Sequence, residues 1–235
     1  IDYQEYNSEL AEKMKAIIDA GSTDKVLVCL PDVFKDLGRY RLPVQLWWRE
    51  HLIAYRDFYS GISSENLYGS TFISRPYMDV KKSNARTLAE LDFLKLKCIW
   101  KNKDILIVEG KYSRSGVGND LFDGARSVSR IICPSKNAFN SYEEIKTCIK
   151  KYGPGKLVLL MLGPTAKVLA YELSAEGFTA IDLGHIDSEY EWYKMGVKKK
   201  TKLSGKHTAE WNTDDGVGEI NDEKYTAQIV CDLSR

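Results

Sequence analysis

The 235-residue sequence contains no apolar run long enough to cross a bilayer and no recognisable signal peptide. A membrane-spanning helix needs about 20 apolar residues in succession, so we predict no transmembrane segment. The chain also lacks an excess of one charge, because 34 basic and 33 acidic side chains leave a net charge of +1. Such a balance gives no electrostatic footprint for a nucleic acid. We therefore expect a cytoplasmic protein that does not bind nucleic acid.

Cysteine is scarce and shows no pattern. The chain has five cysteines, and none of them stands in a Cys-x-x-Cys pair. A disulfide framework or a zinc site would need paired spacing, so the sequence argues against both. We expect small buried thiols in a reducing compartment. The five residues are Cys29, Cys98, Cys133, Cys148 and Cys231.

The second half of the chain alternates short apolar runs with amphipathic segments. Strands are predicted at 104–108, 128–133, 156–162 and 178–183, and helices at 85–100, 142–152 and 167–174. Strands that alternate with helices indicate a mostly parallel sheet with helices on both faces. We therefore predict an α/β fold of the Rossmann-like class.

The first half is less regular. A helix is predicted from Asn7 or Ser8 to Gly21, with a buried strand at 25–30 and a short strand at 71–74. Residues 43–59 have helical spacing and many aromatic side chains. We interpret these aromatics as core in preference to a stacking surface. They are Trp47, Trp48, Tyr55 and Tyr59.

For domain organisation we predict a single domain at 1–195. Residues 196–235 are predicted to be a Lys-rich C-terminal extension packed on that domain. Because the sequence begins at Ile1 and not at Met, we expect it to be a fragment whose front end is missing. The sequence leaves open whether the chain forms a homo-oligomer.

Residues 181–192 crowd acidic side chains and a histidine into one short stretch. Carboxylates this close repel one another unless a cation or several donors gather them. In an extended or loop conformation Asp187 and Glu189 would share one side and could both ligate a divalent metal, with His185 nearby. The alternative is that these acids lie in the first turn of a helix and favour its dipole.

Polar groups follow three of the predicted strands, where ligands bind in parallel sheets. In the first loop, glycines would allow close backbone approach and Arg114 could bind a phosphate. The glycine spacing is neither a dinucleotide fingerprint nor a P-loop, so a plain surface turn is an equal alternative. The next two strand ends offer polar groups and a helix N-terminus. Besides Arg114, the candidates are Gly110, Gly116, Gly118, Pro134, Ser135, Asn137, Gly163 and Thr165.

These strand ends together describe one crevice, with phosphate donors on one side and carboxylates on the other. A sugar nucleotide suits it, because a departing diphosphate needs charge neutralisation, which a metal supplies as Lewis acid. Glu191 or another of the acids could then serve as base towards an acceptor hydroxyl. The lysines at 198–202 could cover the diphosphate, although a solvated basic face is the preferred interpretation.

Four motifs carry a resemblance to a known family. They are ILIVEGKYSRSGVGNDLFD at 105–123, RIICPSKNAF at 130–139, LGPTAKVLAYELSAEGF at 162–178 and AIDLGHIDSEYEW at 180–192. In this order they resemble the GT-D type glycosyltransferases, a bacterial family formerly called a domain of unknown function. The family is found in the glycosylation of serine-rich-repeat adhesins and other surface glycans.

The resemblance implies a Rossmann-like, metal-dependent enzyme that transfers a hexose from a UDP-sugar, UDP-glucose above all, to a saccharide acceptor. It implies manganese or a similar ion at Asp187 and Glu189. The matching nucleotide-side loop comprises Glu109, Ser113, Arg114, Gly118, Asn119 and Asp120. The family usually opens with a strand and an Arg-Phe-Gly-Asp-Gly-Glu segment, and the resemblance implies that the given sequence lacks this N-terminal strand segment. The segment contains an Asp-x-Glu of its own, which leaves open which of the two Asp-x-Glu sites holds the metal.

Two other functions stay open at this point. One is a sugar-nucleotide-binding module without turnover that assists a partner transferase. The other is a different nucleotide-using Rossmann enzyme such as a dehydrogenase, which the incomplete dinucleotide pattern disfavours.

Overall fold

The computed structural model describes residues 3–81, 85–208, 211 and 214–234. Its strands are β1 (Cys29–Leu30), β2 (Gly69–Ser70), β3 (Asp104–Gly110), β4 (Ser127–Cys133), β5 (Leu157–Met161), β6 (Thr179–Asp182) and β7 (Ile229–Asp232). Its α-helices are α1 (Ser8–Ala20), α2 (Leu42–Ala54), α3 (Arg56–Ser60), α4 (Ala85–Trp100), α5 (Tyr142–Tyr152), α6 (Pro164–Ala175), α7 (Ile186–Met195) and α8 (Glu223–Gln228).

The centre of the molecule is a five-stranded parallel sheet in the order β6-β5-β3-β4-β7. In the central strand β3 the side chains of residues 105–109 alternate between the two faces and are fully buried. Ile105 and Ile107 pack with α4 and α7 on one face, and Leu106 and Val108 pack with α1, α5 and α6 on the other. The predicted Rossmann-like α/β class, with helices on both faces, is thereby confirmed.

The predicted N-terminal helix is also confirmed. Asn7 caps α1, because its side-chain oxygen accepts a hydrogen bond from the Leu10 N–H at 3.0 Å. Gly21 ends the helix with φ of 67°, a conformation that favours glycine. Cap and stop signals of this kind are local, so the sequence was sufficient to locate both ends.

The segment between α1 and α4 differs from the prediction. The strand expected at 25–30 is reduced to β1, which pairs with β2 in a separate two-stranded parallel sheet. Residues Thr71–Ser74 form a 3₁₀ turn where a strand was expected. The helix expected at 43–59 is divided at Tyr55 into α2 and α3. Short apolar runs decide neither length nor pairing by themselves, which explains these errors.

The aromatic side chains of α2 and α3 are not core residues, so that interpretation is wrong. Neither helix has a buried residue, and Trp47 and Tyr55 are 55% and 56% exposed. Instead the rings contact one another: Trp47 stacks on His51 with centroids 4.8 Å apart. The sheet face is already covered by α4 and α7, so these helices lie outside the main core.

Because Trp47 is exposed, its loss should cost little stability. We expect Trp47→Ala to lower the free energy of unfolding by less than about 2 kcal/mol, since the ring is mostly exposed and the change removes only its contacts with Trp48 and His51. Urea denaturation followed by circular dichroism measures this. A loss above about 2 kcal/mol would show that the ring is buried in solution, in conflict with the described structure.

The C-terminal extension adds to the sheet itself, because β7 lies beside β4 as a parallel edge strand. A strand of four residues is too short for the sequence pattern to predict that it pairs with β4. All five cysteines are free, but Cys98 is exposed and only Cys133 is buried, so the expectation of buried thiols fails for most of them. None of the described helices is both long and apolar enough to span a membrane.

Candidate active site

A cleft of about 1450 Å³ runs along the carboxyl ends of the strands and along the edge strand β6. As predicted, the loops that follow the strands meet here: residues after β3, β4, β5 and β6 all line it. The opposite wall comes from α2 and the turn after β2, including Trp47 and Trp48. Seven of the predicted site residues line the cleft, and they are Gly110, Ser113, Pro134, Ser135, Gly163, His185 and Asp187.

Glu109 lies beneath the cleft and not in it. Its carboxylate is fully buried and accepts hydrogen bonds from the Arg130 guanidinium and, at 2.7 Å, from the Ser115 N–H. Arg130 also donates to the Ser115 carbonyl at 2.9 Å. This pair therefore fixes the loop after β3 to β4, and Arg130 is a residue that the sequence analysis missed.

Arg114 faces the C-terminal segment. Its Nη1 and Nη2 atoms donate to the Gly205 and Gly218 carbonyls, both at 2.7 Å, and its side chain is buried. Nε has no hydrogen-bond partner among the described residues. Two of the three guanidinium nitrogens that were predicted to bind phosphate therefore donate to backbone carbonyl oxygens.

Asp187 is the centre of a polar cluster. Its Oδ1 accepts from the Gly116 N–H at 2.7 Å and from Asn119 Nδ2 at 3.0 Å, and its Oδ2 accepts from Lys206 Nζ at 2.9 Å. Glu191 Oε1 accepts from the same Asn119 amide at 2.7 Å and from Lys206 Nζ at 2.8 Å. The repulsion expected in the acidic stretch is therefore relieved by donors from two other segments.

Asp120 follows Asn119 in the loop after β3, but its carboxylate has different partners from those of the Asp187 cluster. Its carboxylate accepts hydrogen bonds from Lys97 Nζ at 2.7 Å and from the Tyr190 hydroxyl at 2.9 Å. The Lys97 hydrogen bond is the main cause that lowers the pKa of Asp120. Gly118, in the same loop, is exposed and has φ of 76°. Both residues lie outside the cleft lining.

Asn137 and Gly163 contact the N-terminal segment, and Thr165 lies nearby in sequence. The Asn137 side-chain oxygen accepts from the Glu5 N–H at 2.7 Å. A Cβ atom added to Gly163 would approach the Tyr3 ring to 2.6 Å, so glycine permits this close contact. Thr165, in the first turn of α6, is fully buried, and its hydroxyl has no partner among the described residues.

Glu189 is buried on the far side of α7. Its Oε2 accepts from the Tyr77 and Met78 N–H groups at 3.2 and 3.0 Å. Its Oε1 has no partner within the described part of the chain. Burial, assisted by the negative charge of Asp79, raises the pKa of Glu189 to about 7 against the opposing hydrogen bond from the Met78 N–H.

His185 lines the cleft just before α7. Burial, together with the positive charges of Arg75 and Lys167, lowers the pKa of His185 to about 3. The imidazole is therefore neutral at physiological pH. A neutral imidazole can ligate a metal, but at this low pKa it is a weak proton acceptor.

The Asp-x-Glu triplet adopts a helix where an extended segment was assumed. Residues two apart on a helix are about 200° apart around its axis, which is why Asp187 and Glu189 contact different partners. In the described ranges no group of three His, Cys, Asp or Glu side chains could hold a metal ion. Lys206 already supplies a positive charge to Asp187. This arrangement of the acidic stretch does not fit a metal.

Some lysines of the predicted Lys-rich run are exposed to solvent, and others bind partners in the protein. Lys198 and Lys199 are exposed, whereas Lys200 pairs with Asp79 at 3.4 Å. Lys202 Nζ donates to the Asp215 carbonyl at 2.7 Å. Lys206 is buried in the acidic cluster, and the sequence analysis missed it because nothing distinguishes it from its neighbours.

A parallel α/β sheet with a ligand cleft beyond the carboxyl ends of its strands defines a Rossmann-like ligand-binding domain. The chain belongs to the family of glycosyltransferases with the GT-D fold, whose sequence profile matches residues 1–211. The resemblance predicted from the four motifs is thereby confirmed.

Individual relatives agree with this assignment. The chain is 52% identical over 231 residues to a protein named glycosyltransferase GlyD from Streptococcus pneumoniae serotype 4, covering 98% of this chain and 28% of that protein. It is 50% identical over 235 residues to a probable glycosyl transferase Gly from Streptococcus gordonii, covering 100% and 34%. The chain thus spans about a third of the length of these curated relatives.

Solved structures show the same fold. One is described as the highly conserved domain of unknown function 1792 with a distinct glycosyltransferase fold; it has a TM-score of 0.95 and 50% identity, covering 99% of this chain and 83% of that chain. Another, described as a new glycosyltransferase from Streptococcus sanguinis, has a TM-score of 0.95 and 50% identity, covering 99% and 86%.

Proposed function

We propose that this chain is the catalytic domain of a glycosyltransferase. It transfers a hexose from a UDP-sugar, UDP-glucose by resemblance to the family, to a hydroxyl group of a saccharide on a surface glycan or glycoprotein. The cleft at the carboxyl edge of the sheet carries the proposal. At about 1450 Å³ it exceeds an ordinary small-molecule pocket of roughly 300–1000 Å³, so a sugar nucleotide and part of an acceptor fit together.

The donor would bind along the strand ends. The hydroxyls of Ser113 and Ser135 line the cleft, and so does Gly163 at the N-terminus of α6. Free N–H groups and the positive end of the dipole at a helix N-terminus favour phosphate oxygens. Lys167, in the same helix, also lines the cleft, and its positive charge pairs with Asp182 at 3.1 Å.

Asp187 is the carboxylate that we assign as base. Of the three predicted catalytic acids, which also include Glu189 and Glu191, it is the one that lines the cleft. The acceptor oxygen would form a bond to the anomeric carbon as the bond to the UDP oxygen breaks, and Asp187 would take the acceptor proton. The donors Gly116 and Asn119 hold its Oδ1 in place.

Divalent metal dependence is part of the proposal that comes from the family resemblance. When bound near the diphosphate, a metal supplies Lewis-acid stabilisation of the leaving group. Among the described residues Asp187, Glu189 and His185 do not form a three-ligand group, so we assign none of them as a metal ligand in the transfer reaction.

The test is transfer by the chain itself. Calorimetry with UDP and UDP-glucose, each with manganese and with chelator, measures donor binding, and UDP release with a panel of saccharides measures transfer. We expect Asp187→Asn to lower turnover by at least about 100-fold, as loss of a general base does, with UDP affinity nearly unchanged. The exposed residue Glu90 provides the control Glu90→Gln, which should keep full turnover.

The other outcomes separate the alternatives. UDP binding without transfer to any acceptor would favour a sugar-nucleotide-binding module. Full turnover in Asp187→Asn would remove Asp187 as base. Absence of UDP binding in every condition would contradict the assignment of a UDP-sugar as the donor.

A further inference from the structure

Lys206 places a positive charge inside the acidic stretch. Its side chain is 8% exposed, and its Nζ atom lies 2.9 Å from Asp187 Oδ2 and 2.8 Å from Glu191 Oε1. Hydrogen bonds between two charged groups at these distances are about twice as strong as neutral ones. A buried lysine ammonium needs such partners, because an isolated buried charge is costly.

The segment on either side of Lys206 is fixed independently. The Gly205 carbonyl accepts from Arg114 Nη1 at 2.7 Å, and the His207 N–H donates to the Tyr112 carbonyl at 2.7 Å. Thr208 Oγ1 accepts from the Leu203 N–H at 2.8 Å. The backbone on either side of Lys206 is therefore held by contacts that do not involve the Lys206 side chain.

The carboxylates are equally well fixed from the other side. The Gly116 N–H and the Asn119 amide bind Asp187, and the same amide binds Glu191. Each carboxylate is thus held between the loop after β3 and the C-terminal segment. The Lys206 ammonium and the carboxylates of Asp187 and Glu191 therefore link these two parts of the chain.

We propose that Lys206 is the internal cation of this site. It clamps residues 201–208 across Asp187 and Glu191, and its ammonium occupies the position that a metal would need at Asp187 Oδ2. A divalent ion could reach that oxygen only by displacing the buried lysine. This inference does not rest on the transfer reaction.

Hydrogen exchange of the backbone amides tests the clamp. We expect Lys206→Met to accelerate exchange at Leu203 and His207 by at least about tenfold, because two charge-assisted hydrogen bonds are lost from the segment. Lys199→Met is the matched control, since Lys199 is an exposed lysine of the same run, and its exchange rates should equal those of the parent. Equal rates in Lys206→Met and Lys199→Met would overturn the clamp.

Manganese binding tests whether the Lys206 ammonium takes the place of a metal at Asp187. This test remains informative if Lys206→Met does not fold. Electron paramagnetic resonance of Mn²⁺ titrated into the parent chain and Asp187→Asn should give the same affinity, because Asp187 is bound to Lys206 and not to a metal. At least tenfold weaker Mn²⁺ binding in Asp187→Asn would overturn the proposal, since Asp187 would then be a ligand.

Discussion

Replacing Arg130 by methionine should lower the free energy of unfolding by about 3–5 kcal/mol, the usual loss when one partner of a buried ion pair is removed. Arg130 and Glu109 have side chains only 4% and 0% exposed. Without the guanidinium, the Glu109 carboxylate would keep the Ser115 N–H but lose its buried counter-charge. Arg130 Nε also donates to Gln228 at 2.7 Å, so the same change would release α8.

A surface pair from the neighbouring part of the same strands gives the matched control. Arg126 pairs with Asp104 at the other ends of β3 and β4, where the arginine side chain is 66% exposed. Exposed pairs contribute little to stability, so Arg126→Met should unfold at nearly the same urea concentration as the parent. Equal stability of Arg130→Met and Arg126→Met would show that the buried pair does not hold the sheet edge.

Replacing Glu189 by glutamine should stabilise the protein at alkaline pH by about 3 kcal/mol. The folded pKa of about 7 lies above the ordinary value of 4.5, and each unit of difference corresponds to about 1.4 kcal/mol. Glutamine keeps an oxygen for the Tyr77 and Met78 N–H groups but carries no charge to bury. The change therefore removes the cost of ionising a buried carboxyl group.

The sign of the pH dependence follows from proton binding. Between pH 4.5 and about 7 the folded protein keeps a proton on Glu189 that the unfolded chain has released, so the stability of the parent falls as pH rises through this window. At pH 4.5 parent and Glu189→Gln should be equally stable, and at pH 8 the variant should be more stable. Denaturant midpoints at these two pH values measure the difference.

The comparison between variant and parent is needed because His185 acts in the opposite direction. Its pKa of about 3 lies below the ordinary value of 6.5, so its contribution is lost as pH falls through that range. Taking the difference between Glu189→Gln and the parent cancels this effect. A variant that is no more stable than the parent at pH 8 would show that Glu189 reaches solvent or a cation.

The sequence by itself was enough for the parallel α/β class, because period and end signals are local. The apolar runs that became β3, β4 and β5 are buried on both faces, which makes them continuous rather than alternating. The caps of α1 and the polar strand ends could be identified in the same way. Four ordered motifs then identified the family.

Contacts between distant segments decided the rest. Asp187 depends on Gly116 and Lys206, which lie 71 and 19 residues away in the chain. Glu189 owes its raised pKa to burial near Tyr77 and Met78, more than 110 residues away. Neither the sign of a pKa shift nor the partner of a lysine is encoded by neighbouring residues, because burial and counter-charge arise only when separate elements pack. Hydrophobic pattern determined which segments form the sheet, and tertiary packing determined which of its charged residues face the cleft.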